Sequence, residues 1–260
     1  MGSKTHRENH SVISRFFVCT HADHCFSTSH MIPTFHTTCL SKKLIASGVY
    51  EIHLQKPEGF QFQSGQFVLF DVPLLHDESD IQTRAYSIAS TPSEQDLLFV
   101  IKLVPHGRAS AWIESQVTEG TNITMKGPFG AFLLDETTDK PYLFLATGTG
   151  VAPLRSQMLH ALKELHDTRP MHLVFGVIHD TDLFWMEEWK TLTQDYPNVQ
   201  VHSCVLETDG PMQEKIPSLV KDFNNVSVYI CGAPVTIQDL KARCTEWGVL
   251  KENVHAESYV

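Results

Sequence analysis

Three short stretches of this sequence carry residue types that packing alone does not require. RAYSIAS, from Arg84 to Ser90, sets a guanidinium, a phenol and hydroxyls inside a strand-like alternation. A guanidinium forks onto phosphate oxygens, and a tyrosine offers a flat apolar face with a polar handle. ATGTGVAPL places Gly148 and Gly150 between the apolar run YLFLA and Pro153. Glycine lets backbone approach a ligand where a Cβ would block it, and Pro153 is expected to open a helix, where its missing N–H costs nothing. Free amides at such a helix start suit a pyrophosphate. Pro153 stands where the third glycine of a G-x-G-x-x-G fingerprint would fall, so the turn is of another kind. VYICGAP puts Cys231 and Gly232 at the end of a buried run. Strand ends of a parallel sheet face one crevice, which puts Cys231 and the Gly148 turn on the same side.

The elements that must position these stretches change character along the chain. Over residues 34–135 the runs GVYEIHLQ, GQFVLFDV, AYSIAS, LLFVIKLV and NITMKG are short, alternating and separated by turns, with one short helix at RASAWIESQ. That pattern predicts an antiparallel barrel. Over residues 136–260 four continuous apolar runs, YLFLA, MHLVFGV, VQVHSCVL and VSVYICG, are separated by helical stretches. They predict a parallel sheet in an α/β domain; Leu154, Met158, Leu159, Leu162 and Leu165 mark its first helix by their spacing. Residues 1–33 are polar, His-rich and aperiodic, and read as a disordered leader. Cys19, His21, His24 and Cys25 within it are zinc-compatible ligand types, but their spacing matches no zinc finger and no metal site is expected.

Composition excludes other classes. Twenty basic against thirty acidic residues leave a formal net charge of −10, which disfavours a grip on nucleic acid and suits small-molecule or protein partners. The six cysteines show no framework spacing, which points to a reducing, cytoplasmic setting. No apolar run approaches the ~18 residues of a membrane span.

RAYSIAS, HGRAS, GPFG, GTGVAP and CGAP, in that order, resemble the ferredoxin–NAD(P)H reductase superfamily, whose members join an antiparallel Greek-key flavin barrel to a Rossmann-like nucleotide domain. The resemblance implies FAD and a nicotinamide dinucleotide as cofactors. It gives Arg84 the flavin pyrophosphate, Tyr86 the isoalloxazine face and Ser87 a hydrogen bond near N5. Gly107, Ala109 and Ser110 would open a short helix whose amides face the same pyrophosphate, which favours FAD over FMN. Thr147, Gly148, Thr149, Gly150, Pro153 and Gly232 would form the turns beside the nicotinamide nucleotide, with Cys231 near the carbon that gives up hydride. In the terminal HAESYV, Glu257 would tune protonation near N5 and Tyr259 would cover the ring, a surface tail being the alternative for both.

Members that take NADPH hold its 2′-phosphate with basic or hydroxyl residues after the second and third strands. Asp180, Asp182 and Glu207 stand there in this chain and repel a dianion, so NADH is expected over NADPH, with His179 pulling the other way. The implied activity is hydride transfer from NADH to FAD, followed by single electrons to an acceptor. The sequence holds no CxxxxCxxC run, so that acceptor is expected to be separate: a ferredoxin, a cytochrome or an oxygenase component. A free flavin reductase and a non-enzymatic redox-sensing module remain alternatives. Lys42, Lys43, Lys102, Arg108 and Lys126 are candidates for a docking cluster.

Overall fold

The computed structural model describes residues 32–259. The Cys19–Cys25 stretch lies outside the described residues, as does the rest of the expected leader up to residue 31.

Six antiparallel strands form the first half: β1 (Thr34–Ala46), β2 (Val49–Gln55), β3 (Phe67–Leu74), β4 (Asp77–Ser87), β5 (Asp96–Lys102) and β6 (Asn122–Phe129), in the sheet order β4-β3-β6-β1-β2-β5. Alternation puts Val68, Phe70 and Val72 of β3 into the core at no more than 1% exposure. The two ends of the sheet meet just past β4, where the Ala89 N–H donates to Leu98 O at 2.8 Å and the Leu98 N–H to Ser90 Oγ at 3.1 Å. Those bonds close the sheet into the expected barrel, and helix α1 (Arg108–Ser115) packs Trp112 and Ile113 into its core.

The longest strand, β1, was not among the expected runs. Its sequence TFHTTCLSKKLIA is largely polar, and register shifts between Cys39 and Ser41 and between Leu44 and Ala46 interrupt its alternation. The strand expected at AYSIAS begins earlier, at Asp77, and ends at Ser87.

The second half is a sheet of five parallel strands, β7 (Tyr142–Thr147), β8 (Met171–Val177), β9 (Val199–Val205), β10 (Ser227–Gly232) and β11 (Val254–Ser258), in the order β11-β10-β7-β8-β9. Its helices are α2 (Val151–Leu159), α3 (Met186–Asp195), the single-turn α4 (Leu206–Asp209), α5 (Met212–Leu219) and α6 (Pro234–Glu246). The central strands β7 and β10 are buried on both faces, which explains their unbroken apolar runs. Strand order reverses between β7 and β10, and a doubly wound sheet opens its binding crevice at that switch. Only four strands were expected: the fifth, β11, lies within HAESYV and pairs along β10 from Val228↔Val254 to Gly232↔Ser258. Its residues are half-buried rather than apolar throughout, so the sequence pattern hid it. Among the described residues no helix is long and apolar enough to cross a membrane.

Candidate active site

The end of β4 meets the carboxyl ends of β10 and β11. There Ser87 of the barrel lies beside Glu257 and Tyr259 of the parallel sheet, with Cys231 next to Tyr259. Register explains the grouping, because Cys231 pairs with Glu257 across two adjacent parallel strands. Burial raises the Glu257 pKa to about 7, against the lowering pull of the Ser87 hydroxyl. Burial also pushes the Cys231 thiol up to about 12, so it stays neutral at a strand tip that is 1% exposed. The Tyr259 phenol is held well above its ordinary pKa by the same cause. Tyr259 is no loose tail: its N–H donates to Gly232 O at 3.2 Å and its hydroxyl to Thr149 O at 3.1 Å.

That last bond depends on Pro153. The proline is the third residue of α2 rather than the first, because Gly148–Gly150 already form a tight helical turn before it. Having no N–H, it cannot donate to the carbonyl four residues back. That carbonyl is Thr149 O, the one the Tyr259 hydroxyl finds.

The two glycines of the turn differ in role. Gly148 has φ +52° and open space where a Cβ would stand, as a ligand-facing position requires. Gly150 faces inward instead, where a Cβ would overlap the Cys231 carbonyl and the Gly232 backbone. Its small size therefore serves close packing of the turn against β10, not the approach to a ligand expected of it. Gly232, at φ +150°, would drive a Cβ into the Thr147 side chain. Thr147 Oγ1 accepts the Ala233 N–H at 3.2 Å, which ties the two turns together.

On the barrel side Arg84 is exposed, and among the described residues its guanidinium bonds only neutral groups, Thr83 O and Gln82 Oε1, both at 2.8 Å. A cation so placed fits a phosphate. Phe70 backs the Tyr86 ring at 4.9 Å between centroids, and burial raises that phenol to about 12. Helix α1 starts at Arg108 with no side-chain cap and no acid in its first turn. The Gly107 N–H is already taken by Val104 O at 3.0 Å, and Ser110 Oγ accepts the Val104 N–H at 2.7 Å. Gly107 and the Ser110 hydroxyl thus shape the loop, while the first-turn amides of Ala109 and Ser110 have no partner within the helix.

Helix starts in the parallel half divide the same way. α2 and α6, which follow the two strands beside the switch, have no acid in their first turns. α3 and α5, which follow β8 and β9, carry Glu187 and Glu188, and Glu214. Acid-free starts favour an anion and acidic ones oppose it, so the pyrophosphate-compatible positions gather at the switch. The arrangement fits two dinucleotides, one against Arg84 and α1, the other over Gly148 with α2 and α6.

Asp180 and Glu207 stand farther out, exposed beyond the ends of β8 and β9 and away from the Ser87 group in the strand order. Glu207 reaches His179 at 2.8 Å and raises its pKa, while Asp182 Oδ2 accepts the His179 N–H at 3.3 Å. Of the basic candidates for a docking cluster, Lys42 bonds Ile113 O, Lys102 bonds Ser47 O, Arg108 pairs with Asp80 and Lys126 with Asp71. Nothing in the sequence pattern marks Arg155, Ser156 and Gln157, buried polar residues on α2 that bind the barrel. A buried polar helix face and a solvated one look alike in sequence.

Two family models match the chain: an oxidoreductase FAD-binding domain over residues 38–133 and an oxidoreductase NAD-binding domain over residues 144–242. Methane monooxygenase component C of Methylosinus trichosporium is 33% identical over 172 residues, 64% of this chain and 49% of that protein. The toluate 1,2-dioxygenase electron transfer component of Pseudomonas putida is 31% identical over 226 residues, 85% of this chain and 64% of that one. The chain therefore spans about half to just under two thirds of the length of these relatives. Among solved structures, an Amycolatopsis cytochrome P450 reductase superposes with a TM-score of 0.78 at 24% identity, over 89% of this chain and 73% of its own, and shares the two-domain fold.

Proposed function

Since the chain belongs to the ferredoxin reductase-like superfamily of FAD- and NAD(P)-binding oxidoreductases, we propose that it takes a hydride from NADH and hands electrons singly to a separate acceptor. The observation that carries this reading is the meeting of Ser87 with Cys231, Glu257 and Tyr259, where the barrel and the crevice of the parallel sheet face each other. FAD, when bound, would supply the conversion between a two-electron hydride donor and a one-electron acceptor.

The chain's own part is to bind, orient and exclude water. Arg84 and the first-turn amides of α1 grip one pyrophosphate. The Gly148 turn, which opens α2, and the start of α6 grip the other. Cys231 keeps the crevice floor neutral and small, which leaves room for a nicotinamide ring to approach. Glu257, whose pKa of about 7 lies near working pH, holds or yields a proton beside Ser87. Tyr259 shields the seam from water until a nicotinamide takes its place.

NADH is favoured because a 2′-phosphate would lie among Asp180, Asp182 and Glu207 with only His179 and Lys102 to oppose them. The acceptor belongs to the class that the relatives' names describe, a component of a multi-protein oxygenase system. The cysteines at 39, 204, 231 and 244 are all free thiols, which supports a reducing, cytoplasmic setting. The test is an absorption spectrum of the purified protein, followed by anaerobic titration with NADH and NADPH in parallel. Flavin absorbance bleached preferentially by NADH is expected; a protein that holds FAD yet bleaches with neither nucleotide overturns the proposal.

A further inference from the structure

Three consecutive residues of α2, Arg155, Ser156 and Gln157, are polar and yet only 6%, 0% and 0% exposed. Successive helix residues point about 100° apart, so a buried polar triplet means that the helix is enclosed on several sides by groups able to bond it. Each residue donates to a backbone carbonyl outside the parallel sheet: Arg155 Nη1 to Ala89 O at 2.7 Å, Ser156 Oγ to Ser90 O at 2.6 Å and Gln157 Nε2 to Phe132 O at 2.6 Å. Backbone acceptors fix the path of the chain itself. Gly65 makes room for one of these bonds, since a Cβ there would overlap Phe132 O and crowd Gln157 Nε2. Arg155 is held further by Glu188 at 2.7 Å and Glu94 at 3.2 Å, with the Trp185 ring 5.4 Å away.

The placement of these bonds gives them a meaning beyond adhesion. Ala89 and Ser90 continue the chain directly from Tyr86 and Ser87, the flavin-side residues. At its other end α2 grows out of the Gly148–Gly150 turn, the nicotinamide-side element, about 7 Å of helix rise before Arg155. One rigid strut and one layer of hydrogen bonds thus join the two, beside the Tyr259 hydroxyl that bonds Thr149 O next to Ser87. The Lys102–Asp182 and Trp185–Glu51 bonds also link barrel and parallel sheet, but they touch neither element.

We propose that the Arg155–Ser156–Gln157 triplet is the positioning element of the reaction, setting the separation between the nicotinamide turn and the flavin strand. The inference rests on the reading above, that two nucleotides meet across this seam. None of the three side chains belongs to either pyrophosphate grip, so loosening them leaves each grip whole and shifts only the placement of one relative to the other. Hydride transfer is steep in that placement, a displacement of about 1 Å costing about 100-fold in rate.

The experiment uses the FAD-loaded full chain, as wild type and as Arg155→Leu, Arg155→Lys and Ser156→Ala. Dissociation constants for FAD and for NAD+ are measured separately, the charge-transfer absorbance is recorded on mixing with nicotinamide nucleotide, and flavin bleaching by NADH is followed by stopped flow. Expected are unchanged dissociation constants, a weakened charge-transfer band, and bleaching slowed about 100-fold in Arg155→Leu and about tenfold in the two milder variants. Should Arg155→Leu fail to fold with Glu94 and Glu188 left unpaired, the milder variants decide. Wild-type bleaching with an unchanged band in Arg155→Lys and Ser156→Ala overturns the proposal. So does FAD affinity falling in step with rate, which would make the triplet a prop of the flavin site. A wild type that binds both nucleotides without bleaching sinks the functional reading instead, and the charge-transfer comparison then still reports on placement.

Discussion

The two halves of the site are built on opposite plans. On the barrel half, recognition depends on side chains that project from a finished strand: Arg84 stands exposed with neutral partners, and Tyr86 is propped on Phe70. On the parallel-sheet half it depends on atoms that are missing: Gly150 and Gly232 pack where no Cβ fits, and Pro153 withholds an N–H that Tyr259 replaces. A projecting side chain can be removed without disturbing the strand beneath it. An absent atom cannot be restored without moving backbone. The barrel half is therefore tuned through affinity and the sheet half through shape, and substitutions should separate along that line.

The sharpest break is expected at Gly150. In Gly150→Val the new side chain collides with the backbone of Cys231 and Gly232, and destabilisation of about 3–5 kcal/mol is expected in chemical denaturation. Wild-type stability there would mean that the turn has slack, and the contrast between the halves would fall. Arg84→Ala is the matching test on the barrel: FAD affinity should drop about 100-fold by titration while the apoprotein melts unchanged. A large loss of apoprotein stability would instead make Arg84 a structural residue.

Glu257→Gln probes the line where the halves meet. The Glu257 pKa is raised from 4.5 to about 7 in the folded protein, so between those values the folded state binds the extra proton. Stability from this group is then fully present below its unfolded pKa and declines as pH rises toward 7. Melting temperature against pH should be flatter in the glutamine variant across that window, and a profile parallel to wild type would remove Glu257 from the account. The smallest effect belongs to Glu207→Gln, which removes one exposed acid from the outer rim and frees His179. Relative use of NADPH over NADH should rise roughly threefold at low salt and less at high salt. No change in that ratio would detach the rim from cofactor choice.

The sequence was most legible where one physical constraint dominated. Strands buried on both faces, β7, β8 and β10, announced themselves as unbroken apolar runs, and the glycines of GTG and CG marked turns, Gly148 by its left-handed φ, Gly150 and Gly232 by the lack of room for a Cβ. Strands whose partners cover them unevenly did not. The bulges of β1 break its alternation, and β11 owes its place to pairing with β10 rather than to apolar content. Glu257 and Tyr259 were reached through resemblance, yet their position on an ordered strand and in a bonded cap follows only from that pairing. Arg155, Ser156 and Gln157 were invisible for the converse reason: their acceptors are main-chain carbonyls of Ala89, Ser90 and Phe132, which no side-chain pattern can signal. Spacing marks Gly150 as a turn glycine but does not say which side of the turn is crowded.

The acid-free starts of α1, α2 and α6 have a practical consequence at the bench. Bare amides that welcome a pyrophosphate welcome any small oxyanion. Sulfate carried over from precipitation, or phosphate used as a buffer, will compete for the same amides, so affinities taken in such media describe a contest between ions. Zwitterionic buffers without oxyanions are the medium in which the protein's own preferences can be read.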